Sequence, residues 1–117
     1  MKPPDDQRVL RHMLEHAREA VAMVEGHSRE DLDTDRQLEL ALTRLIEIIG
    51  EAATKTSDRC RENLAAIPWP QIIGMRHRLI HAYDRVDLQI LWDTIQVDLP
   101  PLIRELDKAL GDVDPIE

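Results

Sequence analysis

Apolar residues recur every three or four positions along almost the whole chain, and that spacing constrains the fold more than any other feature. Leu38, Ala41, Leu42, Leu45, Ile48, Ile49 and Ala52 form the clearest series. Successive residues of an α-helix turn by about 100°, so such a series lines one face. Val9, Leu10, Met13, Leu14, Ala17, Val21 and Val24 predict an earlier helix over about Asp6 to Glu25, ended by Gly26. Thr34 and Gln37 have capping-box spacing and predict the start of the second helix, which runs to about Thr56. HSREDLDT reads as a polar connection, and Ser57 to Ala66 as a short helix or loop.

A third helix is expected from IPWPQIIG, with Pro70 in its first turn. It extends through RHRLIHAY, with Gly74 as a weak point and a turn at Asp84 to Asp87. A last helix follows from about Leu88 to Leu110, kinked at Pro100 and Pro101. Short connections between amphipathic helices describe an all-α, antiparallel up-and-down bundle of four main helices, with room for a fifth short one. The 117 residues suit one domain, set at 1–110, with 111–117 as a frayed tail.

Charge narrows the function. The formal net charge of −8 argues against a broadly basic nucleic-acid surface. A small basic pocket remains open, because Arg76, Arg78 and Arg85 fall within ten positions in a chain with three lysines. The lone Cys60 makes no internal disulfide and reads as incidental. The start MKPPDDQRVL lacks the apolar run of a signal peptide, and no apolar stretch suits a membrane span. A cytoplasmic location is the expectation.

Two stretches share the pattern Arg-x4-His: RHMLEH at 11–16 and RHRLIHAY at 76–83. Chance alone supplies roughly half such a match in a chain of this composition, so the bare pattern is weak. The first reads as the solvated face of a helix. The second carries Arg76, His77, His81 and Tyr83. On one straight helix Arg76 and His81 stand about 140° apart, while Tyr83 returns to within about 20° of Arg76. A second copy across a two-fold axis would bring two such sets into one cleft. Other readings stay open: a surface ion pair at Arg76, or half a metal site at His77 and His81 with Asp84. Trp69 and Trp92 read as core or dimer-interface anchors.

The run IPWPQIIGMRHRLIHAYDRVDLQILWDTIQVDLPPL, with LTRLIEIIGEAA before it, resembles HepT-like proteins of the HEPN superfamily over about 35–104. The family mark Arg-x4-His-x-Tyr is matched by Arg76, His81 and Tyr83, while His77 stands where the family usually has Asn. The resemblance implies a HEPN-like helical homodimer that cleaves RNA without a metal or cofactor. It also implies a toxin encoded beside a minimal nucleotidyltransferase antitoxin, which transfers AMP to Tyr83. Arg76 and His81 are then catalytic, and His77 and Tyr83 support the site. The alternative is a non-catalytic module that binds nucleotide or scaffolds the nucleotidyltransferase. Whether the RNA is tRNA or mRNA stays open.

Overall fold

The computed structural model describes residues 5–82 and 85–113, with the side chains of residues 81, 82, 112 and 113 left aside. Among these residues the chain is helical apart from one small hairpin. The first long helix, α1, spans Asp6–Met23. Asp5 caps it, its side chain accepting the Arg8 backbone N–H at 3.2 Å. Gly26 follows the helix with a φ of 82°, a left-handed conformation that costs glycine no side-chain clash.

The polar connection holds a single helical turn, α2, at Asp31–Thr34. The second long helix, α3, spans Arg36–Ala53. Its cap is Asp35, whose side chain accepts from Leu38 N at 3.0 Å, so the expected Thr34 cap is displaced by one residue. The carboxylate one residue further on reaches the free N–H groups of the first turn, and Thr34 ends α2 instead. A short α4, Asp58–Asn63, is capped by Ser57.

The sequence-expected third helix is corrected by the structure. It is delivered as α5, Trp69–Ile73, and α6, Met75–Leu79, broken at Gly74. The chain then leaves the helix at Ile80, whose ψ of 112° is extended. Strand β1, Ile80–Ala82, pairs antiparallel with β2, Arg85–Val86. The hairpin is closed by Asp87 N–H donating to the Leu79 carbonyl at 2.7 Å. Five-residue helices lack the length to be stable alone, and β-branched Ile80 favours the extended form. Asp87 then caps α7, Leu88–Asp93, accepting from Ile90 N at 2.9 Å.

The last helix is one rod with an irregular middle: α7, a π turn at Thr94–Asp98, and α8, Leu99–Val113. Pro100 and Pro101 were expected to kink it. A proline ring crowds the carbonyl four residues back, here those of Gln96 and Val97, and the wider π turn relieves that contact. The π turn also suits the inward series Leu91, Ile95, Leu99, whose successive steps of four exceed an α-turn.

Helix α1 packs against α3 and α8. Its first residue, Asp6, accepts hydrogen bonds from Ser57 N at 2.9 Å and Ser57 Oγ at 2.7 Å, just beyond the end of α3, so the two helices run antiparallel. Past the other end of α1, Arg29 reaches Gln89 at the start of α7, which sets the last rod antiparallel to α1 as well. The up-and-down bundle stands, with its third main helix in pieces. Met13, Leu42, Ile46, Ile49, Leu79, Leu91 and Leu106 are fully buried in one core. Trp69 is buried there too, its Nε1–H donating to the Leu64 carbonyl at 3.1 Å. Cys60 is buried, which pushes its thiol pKa up; the Asp6 carboxylate adds to the rise and Arg61 opposes it. Such a thiol is a weak nucleophile. No helix among the described residues is long and apolar enough to cross a membrane.

Gly50 positions the pieces that follow. A Cβ there would lie 3.3 Å from the Ile72 carbonyl oxygen and 3.4 Å from that of Ile73, so α5 sits directly on the backbone of α3. Gly50→Leu gains about 1 kcal/mol of helix propensity and loses roughly 1–3 kcal/mol to overpacking. The expected result is a net loss of stability, read as a lower urea midpoint. A raised midpoint would show that α5 can move away without cost.

Candidate active site

Helix α6 carries three consecutive basic or titratable residues, Arg76, His77 and Arg78, all exposed. Arg76 and Arg78 are two positions apart and leave the helix on nearly opposite sides. Arg76 turns to α3, where its Nε donates to Glu47 Oε2 at 3.0 Å. Glu47 is itself held by Arg44, Nη1 to Oε1, at 3.5 Å, and Arg44 also faces Glu51 at 3.7 Å. The Arg76 side chain keeps 56% of its surface exposed, while that of Glu47 keeps 23%. The carboxylate therefore anchors one edge of the guanidinium and leaves the terminal nitrogens beside open solvent. Arg78 turns the other way, its Nη2 3.4 Å from Asp98 Oδ2 on the π turn.

His81 does not follow Arg76 on one helix. It is the middle residue of β1, past the switch at Ile80. The angular relations expected from a straight helix through Arg76, His81 and Tyr83 are thus withdrawn: rise per residue changes from about 1.5 to about 3.3 Å at that point. The backbone of His81 is two residues beyond the end of α6, and Arg85 is exposed on the facing strand. Tyr83 and Asp84 lie outside the described residues, so the supporting and modification roles of Tyr83 and the metal role of Asp84 have no geometry here. Among the described residues no group of three or more His, Cys, Asp or Glu side chains is placed to hold a metal ion.

The twin pattern on α1 has different surroundings. Arg11 and His12 are exposed, and His16 Nδ1 lies 2.6 Å from the His12 carbonyl oxygen. The His12 and His16 rings are 6.2 Å apart, edge to face. Nearby, Arg18 pairs with Asp107 of α8. Five residues on a regular helix hold Arg11 and His16 on different flanks, which fits a solvated face.

Glu47 is the residue that sequence reasoning missed. It stands 29 positions from Arg76. Its neighbours Ile46 and Ile49 mark the inward face of α3, so Glu47 sits at the edge of that face, where a carboxylate needs a partner. That partner becomes visible only once α6 docks.

Three kinds of comparison bear on this site. The family model described as "Ribonuclease HepT-like" matches residues 13–109. A candidate RNase from Caldanaerobacter subterraneus subsp. tengcongensis is 37% identical over 110 residues, covering 94% of this chain and 96% of that protein. A protein named a probable ribonuclease HepT, from Thermococcus cleftensis, is 35% identical over 106 residues, covering 87% and 96%. A candidate RNase from Methanocaldococcus jannaschii is 29% identical over 114 residues, covering 97% and 94%. No solved structure matches.

Proposed function

The chain belongs to the HepT-like ribonuclease family, and on that premise we propose that it is a metal-independent RNA endonuclease whose catalytic residues are Arg76 and His81. The observation that carries this reading is the Arg76 guanidinium, anchored at Nε by Glu47 and open at its terminal nitrogens, on the helix that leads into the His81 strand. The names of the relatives, RNase and ribonuclease, support RNA as the substrate.

The chemistry needs three things. The ribose 2′-hydroxyl loses its proton as its oxygen attacks phosphorus. The pentavalent phosphate gains charge on its equatorial oxygens. The bond from phosphorus to the 5′-oxygen breaks, and that oxygen takes a proton. A histidine can accept and release a proton near neutral pH, which gives His81 the proton-transfer role. In a homodimer, His81 of a second copy would serve as the complementary acid or base. Arg76 presents paired N–H donors to the equatorial oxygens. His77, exposed beside Arg76, hydrogen-bonds the phosphate. Tyr83 stacks on a base or donates to the phosphate. The net charge of −8 confines attraction for RNA to this local basic cluster.

The same reading makes the protein a toxin. A minimal nucleotidyltransferase antitoxin would transfer AMP from ATP to the Tyr83 oxygen and release pyrophosphate. The attached AMP adds bulk and negative charge to the motif, and both oppose RNA entry.

The test is cleavage of total tRNA and of mRNA by purified, AMP-free protein in EDTA. Sustained cleavage to 2′,3′-cyclic phosphate and 5′-hydroxyl ends is expected. Activity that vanishes in EDTA and returns with a divalent ion would defeat the metal-free reading. No cleavage of either RNA would leave the non-catalytic module as the better account.

Glu47 acts through Arg76 as a positioning residue. Glu47→Ala is expected to lower kcat/KM by roughly 10- to 100-fold, since small displacements of a charged group are costly to catalysis. Glu47→Gln keeps an oxygen for Arg76 Nε and should recover most of the loss. Equal losses in both variants, at unchanged Tm, would show that Glu47 does not aim Arg76.

A further inference from the structure

Arg78, on the far side of α6 from Arg76, opens onto a second feature. Between α5 and the π turn lies a pocket of about 190 Å³. Its base is apolar, with Ile67, Ile72 and Leu102 all buried. Val97 forms one wall and is 64% exposed. The rim is polar and carries Gln71, Arg78, Asp98 and Glu105.

The charge on this rim decides what it can hold. Among the described residues Arg78 is the single cation lining the pocket, and Asp98 lies 3.4 Å from it. Glu105 adds a second carboxylate, whose only described partner is Lys108 at 3.9 Å. Each carboxylate thus stands beside one cation, so the rim has no surplus positive charge to hold a phosphate. The volume is below the roughly 300 Å³ at which drug-sized pockets begin, and suits a single flat ring system. The apolar base and the Val97 wall suit the faces of such a ring.

Hydrogen-bond inventory narrows the ring further. A carboxylate only accepts. Guanine presents two adjacent donors, N1–H and the N2 amino group, which one carboxylate can accept together. Adenine and cytosine place an acceptor beside their amino group, and uracil sets its single N–H between two carbonyls. A carboxylate is repelled by those acceptors. The Gln71 amide supplies the donor that guanine O6 needs.

We propose that this pocket binds one unstacked guanine of the RNA, read by Glu105 and Gln71, so that cleavage occurs at a fixed offset from a guanine. The assignment rests on the ribonuclease reading, and it deepens that reading by giving the enzyme a base preference. Arg78 joins the two sites, because it shares a five-residue helix with Arg76 and lines the guanine pocket. The sugar–phosphate chain of the bound nucleotide would leave the pocket past Arg78 toward Arg76.

The experiment has a binding arm and a cleavage arm. Guanosine, adenosine, cytidine and uridine are titrated separately into the ¹⁵N-labelled protein. Guanosine alone is expected to shift the Gln71 side-chain amide and the backbone signals of Asp98 and Glu105. Cut sites are then mapped on a randomised RNA pool for the wild type, Glu105→Gln and Ala66→Trp, the last to fill the pocket mouth from the exposed Ala66. The wild type should show guanine enriched at one offset. Both variants should reduce that enrichment by roughly tenfold or more, the scale of one bidentate base contact. Equal shifts with all four nucleosides, or enrichment unchanged in both variants, would overturn the proposal. Guanosine binding without any RNA cleavage would sink the ribonuclease reading and leave the guanine pocket standing. Cleavage without guanine enrichment would do the reverse.

Discussion

Protein carrying His81→Ala is expected to cleave RNA about 10²- to 10⁴-fold more slowly than the wild type, with both assayed in EDTA. That range is what a positioned proton donor or acceptor contributes to a transition state. The loss is read per folded molecule, with the melting temperature of each variant measured beside its rate. His16→Ala on α1 is the matched control, since it removes the histidine of the twin pattern from a solvated face. Cleavage retained by His81→Ala at wild-type rate would remove His81 from the mechanism. Equal losses in the two variants would point to a contaminating nuclease. A histidine base and acid also predict a bell-shaped dependence of kcat/KM on pH, and because both copies lose His81 in the variant, both limbs should flatten.

The second large effect is on stability. Leu79 is the last residue of α6 and is completely buried. Its carbonyl accepts the hydrogen bond that closes the hairpin carrying His81. Leu79→Ala leaves a cavity and should cost about 2–5 kcal/mol. At roughly 4 °C per kcal/mol for a chain of this size, the melting temperature should fall by about 8 °C or more. Leu42→Ala, equally buried on α3, should cost a similar amount. The two should part company in activity per folded molecule. Leu79→Ala loosens the junction between Arg76 and His81, and Leu42→Ala does not touch it. Identical residual activities at matched stability would show that the junction contributes nothing to catalysis.

The long helices were legible because their signal is local. Leu38, Leu42, Leu45 and Ile49 announce α3 without reference to any other part of the chain, and all four are buried. The same holds for Leu10, Met13, Leu14 and Ala17 on α1. Errors arose where two local signals competed or where tertiary contact decided. Thr34 and Asp35 both offer a capping oxygen, and only the folded chain shows that Asp35 takes the Leu38 N–H. RHRLIHAY has the apolar content of a helix. The hairpin bond from Asp87 to Leu79 ends that helix, and within the eight residues only β-branched Ile80 leans that way. Of the candidate site, the residue types could be named from the chain together with the family pattern. The Glu47 anchor could not, because the pair is 29 positions apart and forms only when α6 meets α3.

The order in which these contacts can form has a consequence for the cell. Helix α1 is synthesised before all the other elements described, yet one of its two long packing partners is α8, which follows about 75 residues later. During translation the early helices wait with an apolar face uncovered, and the core closes only after residues up to about Leu110 have cleared the ribosome. The Arg76 anchor and the His81 strand hang on that closure through Leu79 and Leu91, both sealed in the same core. The residues of the motif are therefore synthesised before the helix that closes the core beneath them.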